Sequence, residues 1–408
     1  MSHLTQLSAD RRFRKLFIAR TISNLGNGIA PIALAFGVLA LPNTDATTLS
    51  IVLAAQAIPL VLVLPVGGVV ADRLGRARVI AYTDLVLSAV IAVMAFLFIS
   101  GSVMIPALVF LSFIVGCLNG LWWPAYSGLT PDVVADDLLQ PANAYLSVAS
   151  NVGLIAGSAL GGLLVAAAGA GVAIAVDSVT FLIAGIMVFT FRKVSKPHNS
   201  GQGMFGDLAH GWRVFLSFRW VVVVVLSFST IVMALYGAEH VMGPVLAIDE
   251  YGGAAGWAVV LAFQSAGLLL GGFASSRINI RRPMLFGMLV TLTLPLWLIS
   301  LAFAAPLWVV SLGSFAWGVS IEFFQVLWYT ALQTNVPREA LSRVSSYEAM
   351  GSLMFGPIGL ALAGPLVALV GLRTSFLICA AVATIAILLT LLSKSVRSLT
   401  SSRSEATA

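Results

Sequence analysis

Five carboxylates in this chain of 408 residues stand where carboxylates are costly, inside or at the ends of long apolar runs: Asp84, Asp177, Glu239, Glu322 and Glu348. An acid in such a place binds a proton, pairs with a cation or lines a wet cavity, and it is a functional candidate by default. Glu322 is followed by Gln325 and Tyr329, at i+3 and i+7, so one helix face carries three polar groups. Glu239 follows Gly237 and precedes His240. These two glutamates are the leading proton-coupling candidates, with Asp177 the third; the competing reading pairs each with a neighbouring helix as structural glue. Asp177 lies toward the outer end of its run, where a solvated or hydrogen-bonded role is favoured. Asp84 and Glu348 lie near the cytoplasmic ends, where an ordinary partner, such as an arginine of a nearby loop, could satisfy them. Asn24, Asn27, Gln56, Asn119, Trp122, Gln264, Gln325 and Tyr329 are the candidates for lining a substrate cavity, because amides and aromatic rings in lipid turn toward protein or water. On the Asn119 segment, Trp122 and Tyr126 share its face, and interfacial anchoring competes with pocket lining there.

The chemistry of enzymes is not written in the sequence. There are four histidines, of which only His240 is positioned to titrate within a run, and no paired metal ligands, phosphate-binding loop or nucleophile elbow is found. Cys117 and Cys379 are far apart in apolar surroundings and read as packing residues. The expectation is a protein without catalytic residues, cofactor or metal. A net charge of +6 is spread singly over short connectors and does not form the stripe that nucleic acid requires.

The elements that must position these residues follow from composition. With 59% hydrophobic and 9% charged residues, the chain carries more apolar surface than a soluble domain can hide. A helical crossing of the hydrocarbon core takes roughly 20 apolar residues. Breaks at polar or Gly/Pro-rich connectors predict twelve helices near 14–41, 49–71, 79–100, 104–127, 143–168, 171–191, 219–247, 255–275, 283–304, 306–334, 345–370 and 372–392. Continuous runs such as 221–233 exclude the alternation of a membrane barrel. The first apolar stretch, after Arg11, Arg12, Arg14 and Lys15, is too long for a signal-peptide core and is expected to remain as a span. Lysines and arginines gather in alternate connectors, while Arg373 stands alone on the other side. Both termini are therefore expected in the cytoplasm.

The polar, glycine- and serine-rich stretch 195–203 divides two halves. The expected organisation is a six-helix bundle over 1–191, a cytoplasmic linker over 192–218, a second bundle over 219–392 and a disordered tail over 393–408. Within the linker, Leu208, Trp212, Phe215 and Leu216 fall at helical spacing, which suits either an interfacial helix or a simple extension of the seventh span. Shifting the sequence by 202 residues lays Gly116 on Gly318, Gly157 on Gly359 and Gly162 on Gly364. Six spans repeated twice imply two bundles around an axis normal to the membrane, with a substrate site between them at mid-depth.

Between spans 2 and 3 stands Gly68-Val-Val-Ala-Asp72-Arg73-Leu-Gly75-Arg76-Ala-Arg78, which resembles the G-x-x-x-D-R-x-G-R motif of major facilitator transporters. The resemblance implies twelve spans in two pseudo-symmetric bundles and a cytoplasmic gate at Gly68, Asp72, Arg73, Gly75 and Arg76, with Gly68 allowing close helix approach. The second-half loop, Gly271-Gly272-Phe-Ala-Ser-Ser276-Arg277, has serine in place of the aspartate. Gly153, Gly157, Gly161 and Gly162 on span 5 are similar to the glycine motif of proton-coupled antiporters, with Ser158 for its proline; helix packing accounts for them equally. Trp123-Pro124-Ala125, Pro131, Leu139, Asn143 and the stretch from Tyr329 to Pro337 are similar to the branch holding enterobactin exporters and macrolide efflux proteins. That branch implies proton-driven export of a small amphipathic molecule by a monomer in the plasma (inner) membrane. An uncoupled or proton-symporting metabolite importer of the same fold is the alternative, and a polytopic membrane enzyme a more distant one.

Overall fold

A computed structural model describes residues 6–7, 9–135, 138–194, 212–275, 280–337, 344–345, 347–348, 350–352 and 354–400. Of the sequence expectations, most of the linker, Arg277 and the end of the tail lie outside these residues. Among the described residues, twelve helices are long and apolar enough to cross a membrane. The first six are α1 (Arg11–Leu39), α2 (Ala46–Leu74), α3 (Arg76–Ser100), α4 (Ile105–Ser127), α5 (Leu139–Ala168) and α6 (Ala170–Phe189). The second six are α7 (Arg219–Glu250), α8 (Ala254–Ser275), α9 (Pro283–Ala302), α10 (Leu307–Asn335), α11 (Met350–Val370) and α12 (Leu372–Leu392). The shortest two, α6 and α9 with 20 residues each, would measure about 30 Å at 1.5 Å per residue, the thickness of the hydrocarbon core. Large apolar side chains face outward, among them Leu62 at 70% exposure and Leu369 at 82%. In water these would be a liability; in lipid they are solvated.

Local chemistry sets the helix ends. Asp45, in its extended backbone conformation, accepts the Thr48 backbone N–H at 2.8 Å and so caps α2. Gly75 ends α2 and starts α3 at φ 92°, a left-sided conformation that a side chain would strain. Two helices depart from regularity. α7 passes through a π-helical segment at Gly237–Met242, and α9 is interrupted at Thr291 and Leu292 between Pro283–Val290 and Thr293–Ala302. Residues 212–217 are helical, but the backbone leaves the helix at Phe218 (φ −91°, ψ 78°), so they are not a continuous extension of α7.

The chain forms two compact units, Met1–Ser200 with Gly252–Ala258, and Gly201–Tyr251 with Val259–Ala408. In the first, α1 packs on α5 and α6, α2 on α4, and α3 on α4 and α6. In the second, α7 packs on α11 and α12, and α9 on α10 and α12. The tightest seams use glycine against a bare carbonyl, and they repeat. A Cβ on Gly157 would strike the Leu25 carbonyl, and one on Gly359 the Met233 carbonyl. Likewise a Cβ on Gly116 would strike the Gln56 carbonyl, and one on Gly318 the Gln264 carbonyl. The halves are thus equivalent in backbone contact, whether the residue supplying the carbonyl differs, as Leu25 and Met233 do, or is the same, as Gln56 and Gln264 are.

Candidate functional site

In the second unit the π-helical segment of α7 carries Glu239. A π turn inserts one residue into the helical register, so side chains on either side of it point differently from those of an uninterrupted helix, and such segments gather at functional sites. Glu239 Oε2 accepts a hydrogen bond from Gln264 Nε2 of α8 at 3.0 Å. Gly237, in the same segment, lets α7 approach α11: a Cβ there would lie 3.0 Å from the Gly359 carbonyl oxygen. The His240 ring rests on Tyr236, centroids 5.1 Å apart, and its buried Nδ1 meets no partner. Glu322 of α10 is half-buried beside Gly272 of α8. Tyr329 is 52% exposed. Gln325 borders a small cavity with Phe228, Phe324, Trp328, Glu348 and Ser352. Glu348 finds its partner locally, accepting from Ser352 Oγ at 3.2 Å. Of the polar groups read from the sequence, the fold joins Glu239 to Gln264 by a hydrogen bond and keeps Glu322, Gln325 and Tyr329 along one side of α10.

In the first unit Asn24 Nδ2 donates to Ser150 Oγ at 2.8 Å and Asn27 Nδ2 to Asn24 Oδ1 at 3.3 Å, a short polar chain linking α1 and α5. Gln56 is half-buried with its carbonyl against Gly116. Asn119 Nδ2 turns back onto the Val115 carbonyl of its own helix at 3.0 Å. Trp122 is 6% exposed and stacks on Tyr126 at 4.9 Å, 11° between planes. The Arg20 guanidinium lies over both rings, 4.5 Å from Trp122 and 3.9 Å from Tyr126. The aromatic faces that the sequence offered to a solute are therefore engaged inside the unit by a cation from α1.

Asp177 is buried, not solvated: it is 2% exposed and sits against α1 where Gly26 leaves room for it, with the Thr180 side chain as its polar neighbour. Asp84 is buried beside Arg20, not beside an arginine of the α2–α3 loop. The loop arginine Arg76 is occupied: Nη2 pairs with Asp72 at 3.3 Å, Nη1 with Asp132 at 3.6 Å, and Nη1 also donates to the Gly128 carbonyl at 2.9 Å. Arg73 is exposed. The close helix approach expected at Gly68 falls on its neighbour. A Cβ at Gly67 would strike the Gly120 carbonyl of α4, whereas one at Gly68 would find only Pro124 Cβ, 3.9 Å away. On α5, Gly153 and Gly161 face α1 together with Gly157. Gly162 turns from that seam toward Ala258, which groups with the first unit.

Arg20 gives little signal in the sequence. It continues the basic cluster 11–15 and so passes as a topology signal, yet it follows Phe17, Ile18 and Ala19 in an apolar run. That position was the available clue. Among the described residues, no group of three or more His, Cys, Asp or Glu could hold a metal ion.

Comparison with known proteins agrees with this architecture. The Major Facilitator Superfamily model matches residues 16–347 and again 240–407. The multidrug efflux pump Tap of Mycolicibacterium fortuitum is 29% identical over 382 residues, 89% of this chain and 90% of the relative. The enterobactin exporter EntS of Salmonella typhi is 26% identical over 377 residues, 89% of this chain and 87% of the relative. Among solved structures, a variant of the nucleoside transporter NupG superposes with a TM-score of 0.76 at 14% identity, covering 94% of this chain and 100% of that one. A bacterial homologue of the human lysosomal transporter Spinster gives 0.71 at 16%, covering 96% of this chain and 98% of that one. With twelve spans in two repeated bundles, the α2–α3 motif and these matches, the chain belongs to the Major Facilitator Superfamily and is a multi-pass membrane transporter.

Proposed function

We propose that the protein exports a small amphipathic molecule, of drug, macrolide or siderophore type, against proton entry by alternating access. The bundles 1–191 and 219–392 would rock about the linker 192–218; the expected tail 393–408 is not wholly free, since Lys394–Arg397 is helical and Val396 is buried. The observation that carries the coupling reading is the Glu239–Gln264 hydrogen bond at the π-helical segment of α7. A carboxylate at that position accepts from the amide N–H. Once protonated it can donate to the amide oxygen after the amide rotates, so one partner serves both charge states. Glu239 takes up a proton when the site is open outward and gives it up when the site is open inward, with Glu322 the second candidate and Asp177 the third. Asn27, Gln56, Gln264, Gln325 and Tyr329 are the proposed solute-facing set, whereas Asn24 and Trp122 are buried and Asn119 is engaged with its own helix, so these three leave the cavity set that the sequence suggested. Asp72, Arg73 and Arg76 act at the cytoplasmic gate. The protein works as a monomer in the plasma membrane with both termini in the cytoplasm. The multidrug and siderophore substrates named for Tap and EntS support the solute class.

Reconstituted protein is the test. In proteoliposomes with an imposed pH gradient, Glu239→Gln is expected to keep exchange of labelled solute across the membrane while losing accumulation driven by the gradient. Full gradient-driven accumulation in both Glu239→Gln and Glu322→Gln sinks the reading.

A further inference from the structure

Inside the first unit, α1, α3, α4 and α6 enclose a cavity of about 10 Å³ bordered by Arg20, Ser23, Asp84, Trp122 and Tyr126 among apolar neighbours. That is about the room one water molecule needs. Among the described residues, five buried polar atoms on its lining residues make no hydrogen bond of good geometry, Arg20 Nε and Nη1, Ser23 Oγ, Asp84 Oδ1 and Trp122 Nε1, although Trp122 approaches Asp84 and Tyr126 approaches Arg20. Arg20 and Asp84 attract one another, yet no ion pair within 4.0 Å joins them among the described residues. A pair that served only to hold helices together would close into direct contact, because each unmet charge-bearing group costs stability.

The internal repeat supplies a control. Shifted by 202 residues, Trp122 and Tyr126 fall on Phe324 and Trp328, which border a cavity of the same size in the second unit. There the rings stack on one another, Phe228 on Phe324 at 5.4 Å and Phe324 on Trp328 at 6.2 Å, and the acid Glu348 is held by Ser352. The fold therefore closes this region without an arginine and without an orphaned acid. Its polar content in the first unit needs another explanation.

We propose that the Arg20–Asp84 cavity is a proton-binding site of the first bundle, in which a single water molecule bridges the guanidinium and the carboxylate and carries the proton to and from Asp84. The Arg20 Nε–H and Nη1–H groups donate to the two lone pairs of the water oxygen, and its two hydrogens point to Asp84 Oδ1 and Ser23 Oγ. On protonation the water passes one of its hydrogens to the Asp84 carboxylate and takes up the incoming proton in exchange, so it remains water, and Arg20 keeps its charge against the Trp122 and Tyr126 faces. From α1 the titratable or charged group facing Asp84 is Arg20, from α4 it is Tyr126, and α6 presents the apolar Ala184 and Val188. The site rests on the proton-coupled reading above for its part in transport, but its occupancy is measurable without transport.

Infrared difference spectra of the purified, lipid-reconstituted protein between acid and alkaline pH read carboxyl protonation through the C=O stretch. A buried-carboxyl band is expected in the parent and in Glu239→Gln and Glu322→Gln, lost in Asp84→Asn, and moved in pH midpoint by Arg20→Gln. Should Asp84→Asn not fold, Asp84→Glu keeps the acid and shifts the band frequency, which makes the same assignment. A parent spectrum with no such band, or a band unmoved by every change at position 84, overturns the proposal. If the band is assigned to Asp84 while gradient-driven transport is absent, the site stands and the coupling reading fails.

Discussion

The adjoining glycines of the α2–α3 motif give the sharpest test of how this bundle is held. A methyl group on Gly67 would overlap the Gly120 carbonyl oxygen and lie 3.0 Å from Leu121 Cα. Carbon contacts settle near 3.5–4.0 Å, so α2 and α4 must part by about 0.5–1 Å along their seam. Overpacking of that kind costs about 1–3 kcal/mol. On Gly68 the same methyl group meets Pro124 Cβ at 3.9 Å, ordinary contact, and the expected change is between zero and about 1 kcal/mol of stabilisation through the less flexible unfolded chain. A loss of about 2 kcal/mol, if the seam is broken in the unfolding transition state, accelerates unfolding about 30-fold. The protein's two cysteines make this measurable: Cys379 is buried, and Cys117 is half-buried on α4 beside Gly116. Labelling by a thiol-reactive fluorophore at constant temperature then follows unfolding in detergent. Gly67→Ala should react much faster than the parent and Gly68→Ala no faster. Equal rates for the two variants, or a faster Gly68→Ala, would refute the assignment of the seam to Gly67.

Asp45→Ala should lower stability by about 1 kcal/mol through loss of the α2 cap, and Asp45→Asn by much less, read as thermal shift. The Thr48 backbone N–H holds the Asp45 carboxyl below the usual range. Its stabilisation is therefore complete above the unfolded value near 4, fades as pH falls through the lower folded value, and is missing from the pH dependence of Asp45→Asn. Arg76→Ala should change stability by less than about 1 kcal/mol, since its ion pairs are partly exposed, while slowing solute flux several-fold. A large thermal shift with unchanged flux would make Arg76 a structural brace instead of a gate residue.

The spans were legible because lipid removes ambiguity: a run of about 20 apolar residues has few other uses. The repeat was legible at Gly157/Gly359 and Gly116/Gly318 because glycine cannot be replaced where a carbonyl of the facing helix fills the space of a Cβ. Pairings across helices were not legible. Nothing in the neighbourhood of Glu239 names Gln264, and the π-helical segment that carries it leaves no periodic signature, since one added residue is lost in an apolar stretch. Gly67 and Gly68 cannot be told apart in sequence either, because the facing of a helix depends on crossing geometry that hydropathy does not carry. Arg20 was obscured by the basic cluster before it. Without Arg20, the loop arginines are the cations nearest to Asp84 in sequence, and of these Arg76 is committed to Asp72 and Asp132.

The repeated seams also bear on how the two halves could diverge from a common ancestor. At each of them a glycine meets main-chain oxygen, contributed by Leu25 and Met233 in one pair of seams and by glutamine in both copies, Gln56 and Gln264, in the other. Every residue type supplies that oxygen, so selection acts on one partner of the contact and leaves the other free to drift. Half of each interface is thereby unconstrained in its alphabet, and a duplicated gene can lose recognisable similarity between its two parts while the helices keep meeting at the same points.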